Sequence, residues 1–185
     1  MLKKAILLIA LVIFTSACSH MPLSTMVSMS SFDEEDFIAI NPSEIKVKIR
    51  TDKYLDLSDR HIKLQFKLVS PSGNLDETLS LNKTSTSSRQ IDQWFGEEYT
   101  EYSTTFTLSE ESIDAFKQFQ GSKLVRTARD NADISFNAKA QFPKDAPNQL
   151  MFSIDLQLDS NDDYFTLFDE VNVDFEKAVK GQGTQ

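Results

Sequence analysis

Several stretches of this chain alternate apolar and polar residues with a period of two. Ile45, Val47 and Ile49 alternate with Lys46, Lys48 and Arg50, and Ile62, Leu64, Phe66 and Leu68 with Lys63, Gln65 and Lys67. Further on, Ile134, Phe136, Ala138, Ala140 and Phe142 oppose Ser135, Asn137, Lys139 and Gln141. Leu150, Phe152, Ile154, Leu156 and Leu158 oppose Ser153, Asp155 and Gln157. Successive side chains of a strand point to opposite faces, so each run buries one face and wets the other. Antiparallel sheets read this way, and the absence of a β-α-β rhythm argues against a parallel nucleotide-binding sheet.

Shorter signals complete the pattern. Pro71-Ser72-Gly73-Asn74 is a turn feeding a hairpin partner, Leu75–Leu81. Residues 82–93 are rich in Ser, Thr and other polar groups and read as a loop. Tyr102, Thr104, Phe106 and Leu108 share a strand face, and Tyr164–Phe168 with Val171–Phe175 supply a last edge. One helix interrupts, with Ser109 as N-cap, Glu110 and Glu111 in its first turn and Gly121 at its end. Its buried stripe is Ile113, Phe116 and Phe119. The expected fold is mainly β: an antiparallel β-sandwich of about 7–8 strands with one short helix. A half-open β-barrel cupping the helix is the alternative.

The N-terminus carries a different signal. Lys3 and Lys4 precede an apolar run, Ala5–Phe14, followed by Thr15, Ser16, Ala17 and Cys18, the sole cysteine. A helix of that length spans only about 15 Å, half a hydrocarbon core, so the layout is that of a secretory signal. The small residues before Cys18 resemble a bacterial lipoprotein cleavage box, although Thr15 stands where such boxes prefer Leu. The resemblance implies a cut between Ala17 and Cys18, with diacylglyceryl and N-acyl groups on Cys18. Ser19, rather than Asp, follows the cysteine; by resemblance to enterobacterial sorting this implies the outer membrane. An unpaired thiol in an oxidising compartment is a liability that acylation removes.

These boundaries divide the chain into a signal peptide (1–17), a lipidated tether or collar (18–43), a β domain (44–177) and a frayed tail (178–185). Ser31-Phe32-Asp33-Glu34 has capping-box spacing, predicting a helical turn over Phe32–Phe37 that Pro42 ends. Cleavage removes two of the 19 basic residues, leaving 17 against 28 acidic ones and a net charge of −11. That balance excludes nucleic acid, which needs a basic face, and a polybasic membrane contact. The acyl chains must then provide the membrane attachment.

Candidate chemistry is sparse. Asp159, Asn161, Asp163 and Glu170 match positions 1, 3, 5 and 12 of a calcium-binding EF-hand loop. Tyr164 replaces the glycine of position 6 and no helices flank the loop, so this is a weak metal candidate and no metal is expected. His20 and His61 are the two histidines; without a Gly-x-Ser-x-Gly elbow, His61 reads as a solvated strand-edge residue. No catalytic residue is expected. Trp94 and Phe95 after the polar stretch are the candidate partner contact.

Met21-Pro22-Leu23-Ser24-Thr25-Met26, Phe32-Asp33, Asn41-Pro42 and the run Ile45–Arg50 resemble a family of uncharacterised proteobacterial lipoproteins with a Pro-Leu-Ser-Thr box after the acyl cysteine. Tyr164–Phe168, Asp169 and Val171–Asp174 resemble that family's C-terminal strand region. The resemblance implies an address and a folding unit but no activity, and it gives Met21–Met26 a docked rather than a slack reading. The expectation is a lipid-anchored, non-catalytic binding or assembly module on the periplasmic side of the outer membrane. Its protein partner is unspecified, and a carrier or chaperone for an apolar ligand is the alternative.

Overall fold

The structure is a computed structural model, described for residue 32 and residues 34–92, 98–127, 133–143 and 146–174. Seven strands form one antiparallel sheet: β1 (Lys46–Thr51), β2 (Ile62–Ser70), β3 (Gly73–Ile91), β4 (Tyr99–Leu108), β5 (Asp133–Ala140), β6 (Gln149–Gln157) and β7 (Phe165–Asp174). Their spatial order is β5-β2-β3-β4-β1-β6-β7. The fold is mainly β, as the alternation predicts. Of the two expected arrangements, the one formed is the barrel: a single curled sheet, nearly closed.

The corner of that sheet is β3. Its first part, through Ser80, pairs with β2, and Leu81–Ile91 pairs with β4. One strand of 19 residues therefore belongs to two sections of sheet, a switch that spares the fold a second sheet. Residues 82–93, expected as a loop, are thus strand as far as Ile91. Hydroxyl side chains hydrogen-bond locally and mimic loop composition, but β4 offers a full ladder, and β-branched Thr suits it.

Inside, the alternation is realised row by row. Val47 stands between Phe106 and Leu156, and Ile49 between Thr104 and Ile154. Among the described residues three helices accompany the sheet: α1 (Glu34–Ala39), α2 (Glu110–Gln120) and α3 (Lys123–Thr127). The first two are the expected turn and helix, whereas α3 is unexpected, although Ser122 caps it by accepting from the Val125 N–H at 3.3 Å. Ser109 accepts a hydrogen bond from the Ser112 N–H at 3.2 Å, as its N-cap reading requires. Gly121 closes α2 without entering the left-handed region, because the chain turns directly into α3.

Aromatic rings fill the space between helices and sheet. Phe37 of α1 stacks on Phe66 of β2 at 4.6 Å, and Phe116 of α2 lies 5.0 Å from Phe37 and 5.9 Å from Phe66. All three are fully buried. Phe136 of β5 joins them at 5.6 Å from Phe66, and Phe32 meets Phe136 edge-on at 6.2 Å. Each buried Phe contributes about 2–3 kcal/mol from removal of apolar surface, with about 1 kcal/mol more for a well-placed ring pair. Gln120 at the end of α2 donates to the carbonyls of Phe37 and Ile40, closing the C-terminus of α1.

Candidate functional site

The outer face of the sheet, opposite the aromatic core, holds the main polar constellation. Arg50 of β1 stands between Ser103 of β4 and Ser153 of β6. Its guanidinium grips Asp155 with two bonds, Nε to Oδ2 at 2.6 Å and Nη2 to Oδ1 at 3.1 Å. A third nitrogen, Nη1, donates to Glu101 at 3.2 Å. Glu101 also accepts from Arg89 Nε of β3 at 2.7 Å. On the far side, Asp155 accepts from the Thr166 hydroxyl of β7 at 2.8 Å.

The chain Arg89–Glu101–Arg50–Asp155–Thr166 crosses β3, β4, β1, β6 and β7 in turn. Glu101 and Asp155 are each only 5% exposed, an unusual burial for carboxylates on the face away from the core. Such groups persist because cations and hydroxyls satisfy them. The two bonds to Asp155, its charge and that of Glu101 outweigh burial and hold the Arg50 pKa above its ordinary value. The arginine therefore stays charged.

Bulges in β7 bring its backbone onto the same cluster. Register slips on both sides of Ile154, and Glu170 adopts φ 45°, a left-handed conformation costly for a residue with a Cβ. The Glu170 N–H donates to Ser153 Oγ at 2.9 Å, and that hydroxyl donates to Asp169 at 3.3 Å. Arg50, Tyr99, Glu101, Met151, Ser153 and Glu170 surround a notch of about 20 Å³, room for one water molecule. Burial, helped by Glu101 and Glu170, raises the Tyr99 pKa. Ser153 is engaged with Asp169 and the Glu170 N–H, and Glu101 and Asp155 with the arginines and Thr166, so this constellation braces strands. Nearby, Lys48 Nζ sits 3.5 Å above the Tyr164 ring.

What the brace steadies is the β3–β4 ribbon. Asn82–Gln90 are exposed, and Thr51↔Tyr102 is the last β1–β4 pair, whereas β3 follows β4 to Tyr99. The final rungs therefore have sheet on one side only. Lys83 is tied back by Asp59, which accepts from its N–H at 2.6 Å, and by Asp56 at 3.6 Å. Among the described residues nothing pairs with the outer edge of Ser85–Ile91.

The residues singled out from sequence have varied fates. Ala17 and Cys18 lie outside the described residues, as do the collar Met21–Met26, His20 and the tail. Trp94 and Phe95 also lie outside them, between the described ends of β3 and β4. Asp159 and Asn161 form a tight turn in which Asp159 Oδ1 accepts from the Asn161 N–H at 2.7 Å and its side-chain amide at 2.8 Å. Glu170 instead packs beside Ser153, four residues back from the end of β6 at Gln157, about 13 Å along the strand from where the Asp159 turn begins. The four candidate metal ligands do not converge. His61, read as solvated, is buried at 9% exposure, with Nδ1 accepting from the Ser58 N–H at 2.9 Å. The Gln141 N–H donates to its carbonyl, extending the β2–β5 ladder over a residue that looked like an open edge.

Alternation places Arg50 and Asp155 on wet strand faces, but spacing along the chain assigns no role to them or to Glu101 and Arg89. The signal was present: basic residues fill the wet face of β1, and Asp155 sits on the wet face of β6. Only the register reveals that these faces are neighbours. No protein-family profile matches the chain, and neither a curated protein nor a solved structure matches it significantly.

Proposed function

We propose that this chain is a lipid-anchored outer-membrane protein whose β domain faces the periplasm as a non-catalytic binding or assembly module. The observation that carries the reading is the lone Cys18, set directly behind Lys3-Lys4, the apolar Ala5–Phe14 run and the small residues Ser16-Ala17. A net charge of −9 leaves anchoring to acyl chains rather than to electrostatic attraction to anionic lipids. The module reading draws support from the exposed β3–β4 ribbon on a braced sheet. The buried rings of Phe37, Phe66 and Phe116, packed between helices and sheet, favour this reading over a carrier, which needs an open interior.

The test is fractionation. Cells producing the wild-type chain should retain it in membranes through a high-salt wash and incorporate labelled palmitate. Cys18→Ser should release the chain to the soluble fraction without label. A variant that still sediments with membranes in high salt defeats the anchor.

A further inference from the structure

We infer that the outer edge of β3, over Ser85–Arg89, pairs with the same edge of a second copy of this chain, joining two sheets in antiparallel fashion. The proposal names a partner for the ribbon but does not require the lipid anchor. Three observations carry it.

The first is the state of the edge. Exposed edges are templates for further strands and are normally blunted by charges, bulges or covering loops. Here those devices stop early. Asp59 takes the Lys83 N–H, and the register slips between Lys83 and Ser85. From Ser85 onward Arg89 is the sole charge on the strand, and it is turned across to Glu101 at 2.7 Å. The rungs beyond the slip run regularly from Ser85↔Thr105 to Ile91↔Tyr99, so no bulge interrupts the edge that is unpaired among the described residues.

The second is charge. Two copies of a chain with 28 acidic and 19 basic residues repel over most of their surface. The stretch Thr78–Ile91 contains Lys83 and Arg89 and no carboxylate. It is the part of the sheet along which two such molecules approach at least electrostatic cost.

The third is self-complementarity. A two-fold centred on Ser87 sets Thr86 against Ser88 of the other copy and Ser85 against Arg89. No like charges face each other, and paired hydroxyls are favourable cross-strand neighbours. Backbone hydrogen bonds supply the affinity, as in other additions of a strand to a sheet edge. The ladder is only about 17 Å long, so the contact is small and a dissociation constant on the order of 10–100 µM is expected.

Full-length chain carrying Cys18→Ser, which removes the only other thiol, tests this by sedimentation from about 5 to about 500 µM. Mass should rise from monomer to dimer across that range. Adding Ser87→Lys, an exposed position where two lysines would meet on the two-fold, should weaken dimerisation at least about tenfold while circular dichroism and the urea midpoint stay unchanged. Ser87→Cys should form a disulfide-linked dimer on mild oxidation, and Val69→Cys, exposed on β2, should not. Monomer throughout the range, or a dimer indifferent to Ser87→Lys, overturns the proposal. Because the protein tested already lacks the acylated thiol, the outcome is independent of the fractionation experiment.

Discussion

Arg50 holds together two carboxylates that the sheet has nearly removed from water. Truncating it leaves Glu101 and Asp155 buried without their shared cation. Arg50→Ala should therefore cost about 3 kcal/mol in urea denaturation at neutral pH, more than an exposed ion pair contributes. Replacing the network together (Arg50→Met, Glu101→Gln and Asp155→Asn) should recover more than half of that loss, since no charge is stranded. A cost for Arg50→Ala below about 1 kcal/mol would show that water reaches the cluster. A second residue-scale prediction concerns Glu44. Its carboxylate accepts from the Ser160 hydroxyl at 2.6 Å, the Ser160 N–H at 3.0 Å and the Asn41 amide at 2.7 Å, linking the turn before β1 to the β6–β7 turn. These bonds, the Ser160 hydroxyl foremost, hold the Glu44 pKa below the usual carboxylate range. A depressed folded-state pKa stabilises above the unfolded value and loses that contribution as pH falls through the folded one. The stability gap between wild type and Glu44→Gln should thus be full at pH 7 and close as pH falls through and below the ordinary carboxylate range. Urea midpoints measured across that window decide it; a gap that does not change with pH would rule it out. The alternation of Lys46, Lys48 and Arg50 already said which way Arg50 points. It was silent on what stands beside it, because cross-strand neighbours follow from register and not from spacing along one strand.

At the scale of elements, α1 shows how little a short helix owes to its own sequence. Six residues cannot hold a helix in water, where nucleation outweighs so few hydrogen bonds. Phe37 secures it by stacking on Phe66 and meeting Phe116, and Gln120 closes its last turn. Phe37→Ala should cost about 3–5 kcal/mol in urea denaturation, the range for emptying a buried aromatic site. A loss under about 1.5 kcal/mol would mean that α1 is dispensable to the core. The long β3 teaches the opposite lesson. Its first half reads as a strand through Leu75, Leu79 and Leu81, and its second half reads as a loop because no apolar residue marks a face. That half has no buried face to mark; β4 pairing alone makes it a strand. In β7 the two short runs read from sequence are one strand, interrupted by bulges that set Glu170 at φ 45° and turn its N–H onto Ser153.

Across the whole molecule, one sheet curls around one set of rings, and its outer face is drawn together by a polar chain running from Arg89 to Thr166. The sheet order places β1 between β4 and β6, so that strands distant in sequence become neighbours and Arg50 reaches Asp155, 105 residues away. By itself the sequence determined the strand faces, the capped helix, the mainly β class and the expectation of an acylated cysteine, because periodicity, caps and signal segments are local properties of a chain. Tertiary structure alone decided that the strands curl into a barrel-like sheet, that His61 is buried, that Asp159 and Glu170 stand apart and that the hydroxyl-rich run after Leu81 is strand, its outer edge unpaired from Ser85 among the described residues. Each depends on pairing and register, which are fixed by how all seven strands share one core and by no single stretch of residues.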